Sequence, residues 1–121
     1  MAFEEYSATV MDHFLNPRNT GEVPHASASA TVLNRVCGDS VKLSVRIQAG
    51  VLVEARTKTF GCAAAIACAS AMTELLTGKS VADARAIKNT DIVAFLGGLP
   101  EGKEKCSLVA EEVIGEVLKS C

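Results

Sequence analysis

Tryptophan is absent from this 121-residue chain, and tyrosine occurs once. The 49% hydrophobic fraction is therefore mainly Ala, Val, Leu and Ile, and an aliphatic core is expected. Basic tracts are missing too: 12 Lys and Arg stand against 14 Asp and Glu, for a net charge of −2. Nucleic-acid binding depends on clustered cations that displace counterions from phosphates, so no nucleic-acid partner is expected. No apolar run approaches the roughly 20 residues that span a bilayer, and no membrane partner is expected either. The opening stretch MAFEEYSATVMDHF is acidic and amphipathic, unlike a cationic and then apolar signal peptide. A cytoplasmic location follows as the expectation. Internal repeats, low-complexity stretches and linkers are also lacking. Residues 1–121 read as a single domain, long enough to bury one core without staples.

What the chain does have is five cysteines, at 37, 62, 68, 106 and 121. An odd number in a reducing compartment favours metal or sulfur chemistry over disulfides. Free cysteine also serves as a small buried hydrophobe. Cys68, among alanines in AAAIACASAM, and Cys121, at the end of an apolar helix stripe, fit that plainer role.

Periodicity organises the rest. Phe3, Tyr6, Val10, Phe14 and Leu15 recur at helical spacing over residues 3–15, and Asn16-Pro17 disfavours continuation. A loop of small residues spans 21–29. Three strand-like runs follow at 30–37, 40–47 and 51–60. In the second, Val41, Leu43, Val45 and Ile47 alternate with Ser40, Lys42, Ser44 and Arg46, a period of two. Short hairpin loops at 38–39 and 48–50 join them. Residues 62–78 read as a helix closed by Gly78. Two short helices, 80–88 and 89–98, each open on a capping residue. The last helix, 107–121, places Ala110, Val113, Ile114, Val117 and Leu118 on one face. The fold class is α+β: a three-stranded antiparallel β-meander packed against four to five helices.

The first and third strands of a meander run the same way, so their C-terminal ends share one edge of the sheet. Cys37 closes the first strand, Cys62 follows the third, and Asp39 sits in the turn on that same edge. Strands two apart are separated by about 10 Å, a gap that twist and side-chain reach must close. Cys62 lies at a helix N-terminus, where free N–H groups favour a thiolate, and Gly61 lets the backbone come close. Cys106 precedes the last helix, with the ammonium groups of Lys103 and Lys105 nearby to favour a thiolate. Three thiols and a carboxylate form a four-ligand set suited to zinc or iron–sulfur units. Neither C-x-x-C nor Cys2His2 spacing occurs, so zinc-finger templates do not apply.

At these residues the chain resembles the IscU/NifU-type iron–sulfur cluster assembly scaffolds, across essentially its whole length. Four ordered blocks carry the likeness: YSATVMDHFLNPRNTG (6–21), CGD (37–39), TKTFGCAAAIACAS (57–70) and LPEGKEKCS (99–107). The resemblance implies a scaffold and not a turnover enzyme. Such proteins accept sulfur as a persulfide from a cysteine desulfurase, combine it with iron from an iron donor and with electrons into a transient [2Fe–2S] cluster, and pass that cluster to carrier or target apo-proteins. It also implies that Cys37, Asp39, Cys62 and Cys106 hold the cluster and that Cys106 accepts the sulfur, with Lys103 and Lys105 supporting its thiolate. A hard oxygen ligand beside soft thiolates binds less firmly than a fourth cysteine, so Asp39 reads as the ligand that favours release.

Departures from the family pattern bear on the site. Most members carry histidine immediately before the third cysteine, and here it is Lys105, a poor ligand while protonated. Lys105 then acts as a charge beside the ligands or as a neutral amine ligand. The Leu-Pro-Pro-Val-Lys segment that a dedicated Hsp70-type chaperone grips reads LPEGK, keeping Leu99, Pro100 and Lys103 and leaving that recognition open. Between Cys62 and Cys106 there is no room for the insertion of the zinc-dependent SufU branch. Tyr6 belongs to an N-terminal region that in this family bears on desulfurase contact or self-association; core packing is its other reading. His13 reads as structural, packing or capping the first helix, and His25 is assigned no role. The alternative function is a zinc-bound sulfur acceptor that stimulates a cysteine desulfurase; a structural zinc domain is a third reading.

Overall fold

The computed structural model describes residues 6–34, 38–100 and 102–119. Phe3, Cys37 and Cys121, which entered the expectations above, lie outside these residues. Along the chain run α1 (Ala8–Leu15), β1 (Ala28–Asn34), β2 (Asp39–Gln48), β3 (Val51–Phe60), α2 (Ala63–Leu76), α3 (Val81–Arg85), α4 (Asn89–Phe95) and α5 (Glu104–Leu118). The strands form one antiparallel sheet in the order β1-β2-β3. The meander and its helices therefore match the expectation, with differences at the ends of elements.

Those differences have local causes. The first helix begins only at Ala8, because the Ser7 hydroxyl accepts the Val10 N–H at 3.1 Å and stops it there. Tyr6, expected within the first helix, precedes it and is buried, in keeping with its core-packing reading. The ladder of β1 ends at Asn34, opposite Asp39, so Asp39 is the first residue of β2 and not part of a two-residue turn. The second hairpin does turn in two residues. Ala49 and Gly50 have φ of 53° and 77°, the pair of positive values a type I′ turn demands. Asn89 is not a cap: the Asp91 carboxylate accepts the Lys88 N–H at 2.8 Å and caps that helix from within. The side chain of Asn89 instead donates to Ser107 Oγ at 3.3 Å, joining α4 to α5.

Helix α2 is the centre of the molecule. It packs on α1, β3, α4 and α5. Ala64, Ala65, Ala67, Ala69 and Ala71 are all buried, and their small side chains let neighbours approach from several sides. Met72 and Leu76 are fully buried at its C-terminal half, each contributing about 2 kcal/mol through apolar burial. Past its end, Gly78 N–H donates to the Leu52 carbonyl and Leu52 N–H to the Lys79 carbonyl, at 2.7 and 2.8 Å. One end of α2 is thereby tied to the start of β3, and its N-terminus is carried to the far end of that strand.

The sheet's helix-facing side buries Val41, Leu43, Val45, Leu52 and Ala55. Its outer side is not simply wet. Ser44, expected on the wet face, is 2% exposed because Val23 folds over it and donates its amide to Ser44 Oγ at 2.9 Å. Glu22 pairs with Lys42 and Lys58 beside it. The small-residue loop thus acts as a strap across the sheet.

Candidate metal centre

Asp39, Cys62 and Cys106 converge at the sheet edge where β1 ends and β2 begins. One ligand atom from each lies within 4.8 Å of the others. Cys62 Sγ is 3.8 Å from Cys106 Sγ, which in turn is 3.9 Å from Asp39 Oδ2. Three different segments bring them there. Asp39 is set by the first rung of the β1–β2 ladder. Cys62 is the N-cap residue of α2, with extended backbone and no side-chain cap bond, so its sulfur is left for the cluster of donors. Cys106 lies in the first turn of α5, which starts at Glu104 and so takes in three residues more than the apolar periodicity marks.

That earlier start changes the character of Cys106. It is 3% exposed, whereas Cys62 is half-buried. Burial, and then the neighbouring Cys62 thiol, push Cys106 above the ordinary thiol range. This burial works against the lowering expected from Lys103 and Lys105, because desolvation disfavours the thiolate. Both lysines do line the cleft of about 400 Å³ that opens onto the donors, with Gly38 and Phe60 on its other wall. Such a mouth suits an anionic occupant. Phe60, 76% exposed at this rim, was not singled out by its sequence; a bulky apolar residue at a polar strand position was the available signal.

The other candidates separate cleanly. Cys68 is fully buried in α2, its thiol pushed up to about 12 by burial, in keeping with a packing role. Leu99, Pro100 and Lys103 are each half-buried ahead of α5. His13 is 3% exposed and pins α1 to α2. Its Nδ1 meets Ser70 Oγ at 2.7 Å and its Nε2 faces Glu74 Oε1 at 3.4 Å. Because the Arg18 amide already donates to Ser70 Oγ, we assign the hydroxyl hydrogen to Nδ1 and the ring proton to Nε2. Burial holds this imidazole below its ordinary value, against the opposing pull of Glu74, whose contact is long. His25 is exposed in the loop that crosses the sheet.

Residues 5–120 match the NifU-like N terminal domain. The chain belongs to this family. Within it, the chain is 44% identical over 113 residues to the iron–sulfur cluster assembly scaffold protein IscU of Escherichia coli (strain K12), covering 90% of this chain and 88% of that protein. It is 40% identical over 109 residues to IscU 1 of Archaeoglobus fulgidus, covering 90% and 71%. Against the nitrogen fixation protein NifU of Azotobacter chroococcum mcd 1 it is 42% identical over 110 residues, 89% of this chain but 36% of that protein, so it spans about a third of that relative's length. The fold matches a NifU-like N-terminal structure from Brucella abortus, with a TM-score of 0.77 at 19% identity over 96% of this chain and 93% of that one. It likewise matches a putative SUF-system scaffold from Fervidobacterium islandicum AW-1, with a TM-score of 0.75 at 21% identity over 98% and 99%. The NifU-like family fold is thus the α+β meander described above. Among the described residues no helix is long and apolar enough to cross a membrane.

Proposed function

We propose that this protein is a scaffold on which iron–sulfur clusters are assembled and from which they are handed on, in the cytoplasm and without net turnover of its own. The observation that carries the reading is the meeting of Asp39, Cys62 and Cys106 at one cleft of a NifU-like domain. Cys37 completes the set as the third thiolate. The cluster is cargo. Soft thiolates suit its iron, and Lys103 and Lys105 at the mouth offset the negative charge of thiolates and sulfide.

Cys106 takes the delivered sulfur. Once Cys106 is exposed and has lost its proton to solvent, its thiolate attacks the outer sulfur of a cysteine-desulfurase persulfide; a new S–S bond forms on Cys106 and the donor cysteine leaves as a thiolate. Two electrons from an external donor then reduce the carried sulfur to sulfide, restoring the Cys106 thiolate as Fe2+ from an iron donor is bound. Burial of Cys106 means that the turn before α5 must open for this exchange. Gly102, with φ of 85°, and Lys103 form that turn. Leu99 and Pro100 place a partner contact, for an Hsp70-type chaperone or an accepting apo-protein, on the same lever. Zinc suits the same donors as a competing occupant.

The test is anaerobic reconstitution with Fe2+, cysteine and a cysteine desulfurase, followed by absorption spectra. Sulfide-to-iron charge-transfer bands should appear and should be lost in Cys37→Ser, Cys62→Ser and Cys106→Ser. Zinc retention without such bands, with desulfurase turnover still raised, would overturn the scaffold reading in favour of a zinc-bound sulfur acceptor.

A further inference from the structure

The ladder between β2 and β3 pairs Val41 with Thr59 and Ser40 with Phe60. The next step of that register sets Gly61 across from Asp39. Cross-strand partners direct their Cβ atoms to the same face of a sheet. Asp39 faces the helices, as Val41 does, and is 4% exposed. A Cβ on Gly61 would lie 2.7 Å from Asp39 Oδ1, 2.9 Å from its Cγ and 3.0 Å from Ala65 Cβ. The carboxylate occupies the space that any side chain at 61 would take.

The backbone does not explain this glycine. Gly38, Gly50, Gly78 and Gly102 all have positive φ, whereas Gly61 is not among the left-handed residues. Alanine would be accepted by the chain there and refused by the carboxylate. We infer that Gly61 is a positioning residue for the donor set: its bare Cα leaves the space through which Asp39 leans over the strand end toward Cys106 and Cys62. The functional consequence rests on the scaffold reading; the geometric one does not. A methyl group at 61 pushes the Asp39 carboxylate, Cγ included, out of its place and presses on Ala65 Cβ, while both described thiols stay on their own elements. Gly61→Ala therefore removes the oxygen donor without touching Asp39 itself. The ladder that places Asp39 extends to Gly61 in a second role, that of keeping its partner position empty.

The experiment compares wild type, Gly61→Ala, Asp39→Ala and the double variant, each as the full chain, by Co2+ absorption and thermal unfolding. Co2+ alone is the probe, because its ligand-field bands report an oxygen donor beside thiolates. The Gly61→Ala spectrum should superimpose on that of Asp39→Ala, and the double variant should add no further change. Cluster lifetime after reconstitution should lengthen by the same factor in all three variants, to within about twofold, as expected of residues acting as one unit. A Gly61→Ala spectrum equal to wild type overturns the inference and leaves the scaffold reading intact. Wild type without thiolate-to-Co2+ bands overturns both. Should Gly61→Ala fold poorly, Asp39→Ala in the same chain must restore it, since the clash is then gone. Failure to restore it, or rescue of the spectrum by Ala65→Gly instead, places the clash on α2 and overturns the inference.

Discussion

Helix α2 touches two polar clusters that are built in opposite ways. Around His13 the hydrogen bonds are short: Ser70 at 2.7 Å from the ring, the Arg18 amide at 2.9 Å from the Ser70 hydroxyl, and Asn19 donating to Thr73 at 3.0 Å. Around Cys62 the contacts are 3.8 and 3.9 Å, between weakly hydrogen-bonding sulfurs and a carboxylate. Buried polar groups cost least when fully satisfied. The short hydrogen bonds of the first cluster follow that rule and hold α1, α2 and the following loop together. The second departs from it where the molecule opens to a cleft, so its donors gain more from a bound metal than from one another. On the proposed function, stability and metal binding are lodged at different turns of one helix.

Exchanging the effects of the two clusters is the sharpest way to break this contrast. Cys62→Ser should abolish cluster assembly while shifting unfolding free energy by no more than about 0.5 kcal/mol. His13→Ala should do the reverse. It leaves Ser70 without its ring partner and opens a void between α1 and α2, costing about 2 kcal/mol in denaturant melts with the cluster still assembled. Loss of assembly in His13→Ala at a temperature where it is folded would dissolve the distinction.

Asp39→Ala comes next in size. Replacing the hard ligand should lengthen cluster lifetime on the scaffold with little change in melting temperature; faster cluster loss would contradict the release role given to Asp39. A smaller effect is set by pH. The folded His13 lies below its ordinary value of 6.5, so the unfolded chain binds the proton more readily. Its contribution is fully present above about 6.5 and is lost as pH falls from there toward the folded value, because ν for the unfolded state then exceeds that for the native state. Thermal unfolding of wild type should weaken over that window more than that of His13→Gln. The smallest effect concerns the described thiols of the apo protein. Iodoacetamide should modify half-buried Cys62 before Cys106, and Cys68 last, as read by mass spectrometry. Equal rates at Cys62 and Cys106 would show that the turn before α5 is already open.

Much of this was legible in the residues. The alternation at 40–47 fixed the central strand, and the apolar face from Ala110 to Leu118 fixed the last helix; local periodicity suffices because each element buries one side. The meeting of Asp39 and Cys62 followed from the meander, since the ends of strands one and three must share an edge. Less could be read where a distant contact overrides a local pattern. Ser44 alternates as a wet residue and is buried by a strap 21 residues earlier in the chain. Lys103 and Lys105 look like activators of Cys106 by proximity in sequence, yet the thiol is turned inward by the helix that starts at Glu104. The exposure of Phe60 and the closeness of Gly61 to Asp39 were not visible in any window of neighbours.

By itself, then, the sequence determined which elements form, which residue types could ligate a metal and to which family the blocks point, because those depend on short-range spacing and residue type. The tertiary structure decided how deep each described donor lies, that burial disfavours a Cys106 thiolate, and why a glycine faces Asp39. Those are properties of the space between elements, where burial and steric exclusion act between residues far apart in the chain.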